Sequence, residues 1–344
     1  MHRWTAAVRD HGLVRDYAYF DGRLATGPAE VSHDPAVLDG PGWWAVVGTY
    51  EGRWTCVRFT DVRPAPPPAG VWAGPSPTSW RTSLGRRAYE QGVREIREQI
   101  AAGWIYQVNL CRVLTAPIPG RSEPAGLAGL LAAGNPAPYA GTVDVPEAGL
   151  RVVTASPELF LSREGDLLAS GPIKGTGRTA ADLLPKDTAE NVMIVDLVRN
   201  DLAHVAQTGS VDVPELCAVR EHPGLVHLES SVTARLRAGA GWPEILAAAF
   251  PPGSVTGAPK YSALKTIEEL EREPRGPYCG AVGWVDGDAR RARLAVGIRT
   301  FWLENGLLRF GTGAGITWGS DPAREWAETE LKAERLIGLA NARG

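Results

Sequence analysis

Lysine, sulfur-bearing residues and long apolar runs are all scarce in this 344-residue sequence, and each shortage excludes something. The four cysteines, Cys56, Cys111, Cys217 and Cys279, stand far apart with no C-x-x-C pair, which argues against a disulfide framework or a zinc site and leaves them as small core residues. No stretch approaches the roughly 18 to 20 uninterrupted apolar residues of a membrane span, and Met1 to Arg9 lacks a basic start followed by an apolar run. The expectation is a cytoplasmic chain with no membrane association. A net charge of -3 supplies no basic field for nucleic acid or anionic lipid. Among 36 basic residues only five are lysines, Lys174, Lys186, Lys260, Lys265 and Lys332, and none precedes position 174. Arginine is the default cation, so a lysine here marks either chance or a need for a compact amine that can lose its proton.

What is present is an ordinary globular composition, 44% hydrophobic and 22% charged, with a length that carries a soft expectation of about two domains. Residues 1–63 hold short apolar and aromatic runs broken by Gly and Asp, which read as an abbreviated strand-rich region. Six prolines between Pro64 and Pro77 exclude a helix or central strand, so 64–80 reads as a linker and 81–344 as the larger domain. Tyr89, Val93, Ile96 and Ile100 recur at helical spacing and stop at Gly103. Trp104 to Leu114 then alternates as a half-buried strand, with Gln107 and Asn109 on one face.

Further hairpins are expected around Glu164-Gly165-Asp166, from Trp284 through Asp286-Gly287 to Trp302, and at Asn305-Gly306. Long helices are expected from about Asp187 to Ala206 and from Pro322 to Asn341. Strand runs mixed with helices, with no βαβ alternation and no internal repeat, indicate an α+β fold of layered sheets with surrounding helices.

Several residues could carry chemistry. Asp187 and Glu190 share one helix face, as do Glu325, Glu328 and Lys332 on the last helix. One carboxylate from each helix suffices for magnesium, which takes its other ligands from water and substrate anions; the alternative is two solvated faces, with Glu328 and Lys332 a pair worth about 0.3–0.5 kcal/mol. Lys174 sits between Ile173 and Gly175, where burial would leave a neutral, nucleophilic amine. Glu158 opens the preceding strand and could meet it as acid or base; an exposed hairpin lysine is the competing reading. Gly311 to Gly315 and Phe250 to Lys260 lack the spacing of dinucleotide and Walker loops, although both could aim backbone N–H groups at a carboxylate. His227 reads by default as a satisfied strand histidine. Arg299, between apolar neighbours, needs an anionic partner, which is either a structural ion pair or a ligand.

Taken in order, Gly103 to Asn109, Ser156-Pro-Glu158, Pro172-Ile-Lys-Gly-Thr176, Glu190 to Asp201, His227-Leu228, Ser254 to Lys260, Arg275 to Gly283, Ile298-Arg-Thr300 and Gly311 to Gly315 resemble the chorismate-utilising enzymes. That family includes anthranilate synthase component I, aminodeoxychorismate synthase component I, and isochorismate and salicylate synthases. The resemblance covers about residues 85–340 and implies the fold of anthranilate synthase component I. Water-using members carry lysine at the place of Gln107, whereas ammonia-using members carry glutamine. Anthranilate synthases typically carry alanine at the place of Lys174, whereas aminodeoxychorismate synthases carry lysine. The resemblance therefore implies aminodeoxychorismate synthase component I.

On that resemblance, Glu190 and Glu328 would hold magnesium, with Asp187 and Glu325 in support. Arg299, Tyr278, Gly313 and Gly315 would hold the pyruvyl carboxylate of chorismate, Gly175 and Thr176 would line the ring site, and Gln107 and Lys332 would also contact substrate. Lys174 would add to the ring while Glu158 protonates the leaving hydroxyl, with His227 near the ring face; ammonia would then displace the lysine. No cysteine occupies a Gly-x-Cys-x-Gly elbow, so a separate glutamine amidotransferase subunit is the expected ammonia source. Departures are Gly177-Arg178 where relatives continue Arg-Pro-Arg, the short Asp187, and the lack of a Leu-Leu-Glu-Ser-like stretch, so tryptophan inhibition is not expected. The alternatives are anthranilate synthase component I and a catalytically silent chorismate-binding subunit.

Overall fold

The structure, a computed structural model, describes residues 15–120, 122–177, 179–183, 185–222 and 225–342. Its strands pair antiparallel and form two runs. In spatial order the first is Arg23–Ser32, Tyr17–Phe20, Tyr139–Val145, Leu150–Ser156, Thr300–Glu304, Leu307–Ile316 and Gln107–Pro117. The second is Arg23–Ser32 again, then Trp54–Pro64, Trp43–Gly48, Ala281–Asp286, Arg291–Val296, Leu159–Glu164, Leu167–Gly171, Leu225–Arg235 and Asp212–His222. The shared strand joins the two sheets. Phe20, Val113, Val143 and Val152 of the first run lie in one buried cluster with Trp44, Val57, Leu161 and Val282 of the second. Two layers thus close over one apolar core, each such side chain contributing roughly 1.5–3 kcal/mol on burial.

Among the described residues six helices cover the outside: α1 (Arg86–Ala101), α2 (Pro124–Gly134), α3 (Pro185–Ala203), α4 (Trp242–Ala249), α5 (Lys260–Leu270) and α6 (Pro322–Ala340). Helix α1 buries Tyr89, Val93 and Ile96, at spacings of four and three residues, against Leu110 and α5. Helices α2 and α6 bury Leu127, Leu131, Ala333 and Leu336 over Phe301 and Phe310. Helix α6 begins at Asp321, whose carboxylate accepts the Arg324 N–H, with Pro322 in the first turn. None of the described helices is long and apolar enough to cross a membrane.

The α+β class read from the sequence is the observed one. Two elements differ. The segment expected as a hairpin arm up to Trp302 is two strands in different sheets: Arg291–Val296 pairs with Ala281–Asp286, and Thr300–Glu304 pairs with Leu150–Ser156. The chain crosses between layers at 297–299, where the Gly297 N–H is held by the Gly280 carbonyl and Arg299 takes a left-handed φ of 51°. Helix α3 stops at Ala203 rather than Ala206, because Ala206 is drawn into a bridge with Leu236. The Pro-rich connection is pinned to the end of α6: Trp72 is buried and its indole N–H donates to the Ala340 carbonyl at 2.8 Å. Strands from both sides of this connection lie in the same sheets.

Candidate active site

Glu158 is fixed at the head of its strand. Its N–H donates to Ser156 Oγ at 3.2 Å, and its carbonyl accepts the Val296 N–H at 3.0 Å. Lys174 lies on the short strand Ile173–Gly177, opposite Leu228, and a bulge follows before Thr176 pairs with His227. The bulge is Gly175, with φ of 68° and a site where a Cβ would lie 2.9 Å from Asp187 Cβ on α3. Only glycine meets both constraints. Helix α3 is held on the neighbouring strand by buried Asn191, whose amide donates to the Leu228 carbonyl at 3.2 Å.

Across from these strands, the turn Gly253–Val255 brings Ser254 to both groups. Lys174 Nζ donates to the Ser254 carbonyl at 3.0 Å, and Ser254 and Glu158 line the same small cavity. Burial pushes the Glu158 carboxyl up to about 7, against Ser254, the Lys174 charge and the Ile173 N–H, which pull it down. Burial pushes the Lys174 amine below its ordinary value; the Glu158, Glu190 and Glu328 carboxylates oppose that shift and Lys332 adds to it. An acid that is still protonated near neutrality thus faces an amine biased towards its neutral form.

The same electrostatic neighbourhood locates the expected metal residues. Glu190 on α3 and Glu328 on α6 both act on Lys174. Lys332 Nζ lies 2.7 Å from Glu328 Oε1 and donates to the Gly313 carbonyl at 3.1 Å. Asp187 packs beside Gly175, while buried Glu325 acts on Tyr89. Among the described residues no three His, Cys, Asp or Glu side chains are grouped so as to hold a metal ion, and the four expected carboxylates form no preassembled cage. Glu190 and Glu328 fit a different arrangement, in which a hard divalent ion takes one or two protein carboxylates and completes its shell from substrate and water.

Gln107 and Gly315 meet directly: a Cβ on Gly315 would lie 2.3 Å from Gln107 Nε2. Gln107 is 2% exposed, and among the described residues its Oε1 has no hydrogen-bond partner. Gly313 lies opposite Cys111 in register. Tyr278 packs its ring on Gly311, where a Cβ would be 2.0 Å away, and its hydroxyl accepts from Cys111 Sγ at 3.8 Å. Arg299 is displayed by the crossover, its carbonyl accepting the Ala155 N–H at 3.0 Å. Burial lowers its guanidinium from the ordinary value and Arg335 adds to the effect; among the described residues no carboxylate pairs with it. His227, 3% exposed, has Nδ1 3.4 Å from the Gly175 carbonyl. The Thr176 side chain and Arg178 lie outside the described residues.

Sequence reasoning assigned no part to Ser254, Arg275 or Glu271. Arg275, 1% exposed, donates to the Val255 and Asn109 carbonyls, both at 2.8 Å, and to both Glu271 oxygens at 2.7 Å. Glu271 in turn accepts the Cys111 N–H at 2.8 Å. This buried pair ties the Ser254 turn to the Gln107–Pro117 strand. Lys260 does similar work, its amine 2.6 Å from Asp201 and joining α5 to α3. The only signal for Ser254, Lys260 and Arg275 was membership of two motif blocks, and Glu271 lies in neither.

Comparison with known proteins identifies the family. A family model described as chorismate binding enzyme matches residues 52–338. The chain belongs to that family. This chorismate-binding enzyme is 39% identical over 273 residues to aminodeoxychorismate synthase component 1 of Klebsiella aerogenes, covering 76% of this chain and 59% of the relative. It is likewise 39% identical over 270 residues to an anthranilate synthase component 1 of Haloarcula marismortui, covering 74% and 54%. The chain therefore spans little more than half the length of these relatives. Among solved structures, anthranilate synthase component I from Streptococcus pneumoniae shares the fold at a TM-score of 0.79 and 22% identity, covering 98% of this chain and 95% of that one. The menaquinone-specific isochorismate synthase of Escherichia coli does so at 0.75 and 19%, covering 94% and 88%.

Proposed function

We propose that this enzyme is an aminodeoxychorismate synthase component 1, converting chorismate and ammonia to 4-amino-4-deoxychorismate with a separate glutamine amidotransferase as ammonia source. The observation that carries the reading is the Lys174 amine, held on the Ser254 carbonyl within the electrostatic reach of the buried Glu158 carboxyl. Neutral Lys174 adds to ring C2, both ring double bonds shift by one position, and the C4 hydroxyl departs with the Glu158 proton as water. Ammonia then adds at C4, both double bonds return, and the lysine leaves as an amine. Arg299, a half-buried cation without a carboxylate partner among the described residues, takes the pyruvyl carboxylate together with backbone at Gly313 and Gly315. The unpartnered Gln107 Oε1 suits an N–H donor such as ammonia, and an amide is no base for activating water. Magnesium, when bound, would neutralise the ring carboxylate and polarise the ring, with Glu190 and Glu328 as its holders and Asp187 and Glu325 flanking. His227 lies where it would meet the ring face.

The competing reading is anthranilate synthase component 1, favoured by relatives of equal identity. Incubating the chain with chorismate, magnesium and ammonium and weighing the product separates the two. We expect a non-aromatic amine that keeps the enolpyruvyl group, and Lys174→Ala should lose at least about 100-fold in its formation. Anthranilate plus pyruvate, or undiminished turnover in the variant, would overturn the proposal.

A further inference from the structure

We propose that Asn191 and Thr329, the residues that directly follow Glu190 and Glu328, are positioning residues that fix the rotation of α3 and α6 and so set how the two carboxylates are presented to a divalent ion. This rests on the holder roles given to Glu190 and Glu328 above.

The two helices repeat one arrangement. Asn191 and Thr329 are both 0% exposed, although each is polar and each adjoins a carboxylate residue that is only half-buried. A polar side chain in such a place is costly unless it is bonded, and both are committed to the sheet beneath. On α3, the Asn191 amide donates to the Leu228 carbonyl at 3.2 Å, and its Oδ1 accepts the Ser230 hydroxyl. Leu228 is the residue opposite Lys174 in register. On α6, Thr329 Oγ1 accepts from Arg112 Nε at 3.0 Å and donates to the Trp326 carbonyl at 2.8 Å, while the Thr329 carbonyl accepts from Thr312 Oγ1 at 2.9 Å. Arg112 and Thr312 face each other on paired strands. Arg112, 3% exposed, also reaches Glu330 Oε1 at 2.5 Å and lies 4.2 Å from the centre of the Trp326 ring.

Successive residues on a helix lie about 100° apart. Locking one of them against a sheet therefore places the residue before it at the border between sheet and solvent, with little freedom to swing about the helix axis. Among the described residues no cage of side chains is preassembled for a metal, so the gap between Glu190 and Glu328 is inherited from the two helices. Removing a group that orients a metal-holding side chain typically weakens affinity by about 10- to 100-fold. An amide and a hydroxyl do this without adding a charge that would itself attract or repel the ion.

The test uses the whole chain and Mn2+, a hard divalent ion that also prefers carboxylate oxygen, counted by electron paramagnetic resonance with chorismate present and ammonium absent. Glu328→Gln gives the loss that follows removal of a holder. Thr329→Val keeps the shape of the side chain without its hydroxyl, Thr329→Ser restores a hydroxyl, and Asn191→Leu removes the other anchor. The Kd for Mn2+ should rise about tenfold or more in Thr329→Val and in Asn191→Leu, and return to within about threefold in Thr329→Ser. In the ammonium assay the magnesium concentration for half-maximal rate should rise in step, while kcat at saturating magnesium stays within about threefold. Val57→Ala, in the core on the Trp54–Pro64 strand, is the destabilised control: its urea midpoint should fall while its Mn2+ affinity stays within about twofold. Arg112→Lys and Ser230→Ala weaken the same anchors from the strand side and carry the test should the direct variants not fold. Unchanged Mn2+ affinity in either anchor variant, or an equal weakening in Val57→Ala, would overturn the inference. If Glu328→Gln binds Mn2+ as the unaltered chain does, the holder reading fails and the inference falls with it. If the product is anthranilate, the proposed function fails while the Mn2+ titration still decides on the anchors.

Discussion

A carboxyl group as deeply buried as Glu158 keeps its proton until the pH reaches about 7, and this sets the range in which it can act as an acid. Activity should fall as pH rises past that point, because the acid is then spent, and rise at lower pH as the depressed Lys174 amine loses its proton. The result is a bell-shaped profile for kcat/KM. The same group has a cost in stability. Its folded value lies above the ordinary 4.5, so its stabilising contribution is full below that value and is lost as pH climbs through about 7. Glu158→Gln should therefore lose about 100-fold or more in rate while raising stability at pH 8 by about 1–3 kcal/mol, an advantage that vanishes near pH 4. Rate profiles and calorimetry at the two pH values check both halves. At this scale the sequence was informative about the side chains to which the proposal gives the chemistry: Lys174 stood out because lysine is rare, and Glu158 because it opened the preceding strand. Ser254 was not legible as a partner, since a backbone carbonyl accepting from an amine 80 residues away leaves no mark on residue type.

Elements hold these residues through one buried ion pair. Arg275 and Glu271 are both nearly inaccessible, and between them they engage the Ser254 turn and two alternate positions, Asn109 and Cys111, of the Gln107–Pro117 strand. Neutralising one member strands the charge of the other. Glu271→Gln should cost about 3–5 kcal/mol in urea unfolding and reduce activity through displacement of the turn. A surface pair such as Arg199–Asp196 should contribute at most about 1 kcal/mol. Helix α1 was legible because its apolar residues repeat on one face. The strand pair ending at Trp302 was not, because alternation runs on through the 297–299 crossover, and what decides its sheets is the partner each half meets. There a Cβ on Gly297 would lie 1.9 Å from the Pro277 carbonyl, a constraint set by a loop 20 residues away.

At the level of the whole molecule, Arg23–Ser32 belongs to both sheets, and Trp43–Gly48 pairs along its full length with Ala281–Asp286. Unfolding should be one cooperative calorimetric transition, and a chain beginning at residue 81 should fail to reach it, because Ala281–Asp286 would expose an unpaired edge and the shared core would open. Two separate transitions would instead mark the N-terminal strands as an independent unit. The α+β class could be read from periodicity alone, whereas the order of strands could not. Antiparallel neighbours more than 200 residues apart are chosen by complementary faces and by loop closure, neither of which is local to any window of sequence.

Helix α6 has a role at both ends of this assembly. Its middle carries the Glu328–Lys332 pair, and some 18 Å along the rod from Glu328 the Ala340 carbonyl accepts the indole N–H of Trp72. Because that indole is buried, fraying of the last turn would release a sequestered fluorophore into water, so the emission of Trp72 reports on the integrity of the helix end.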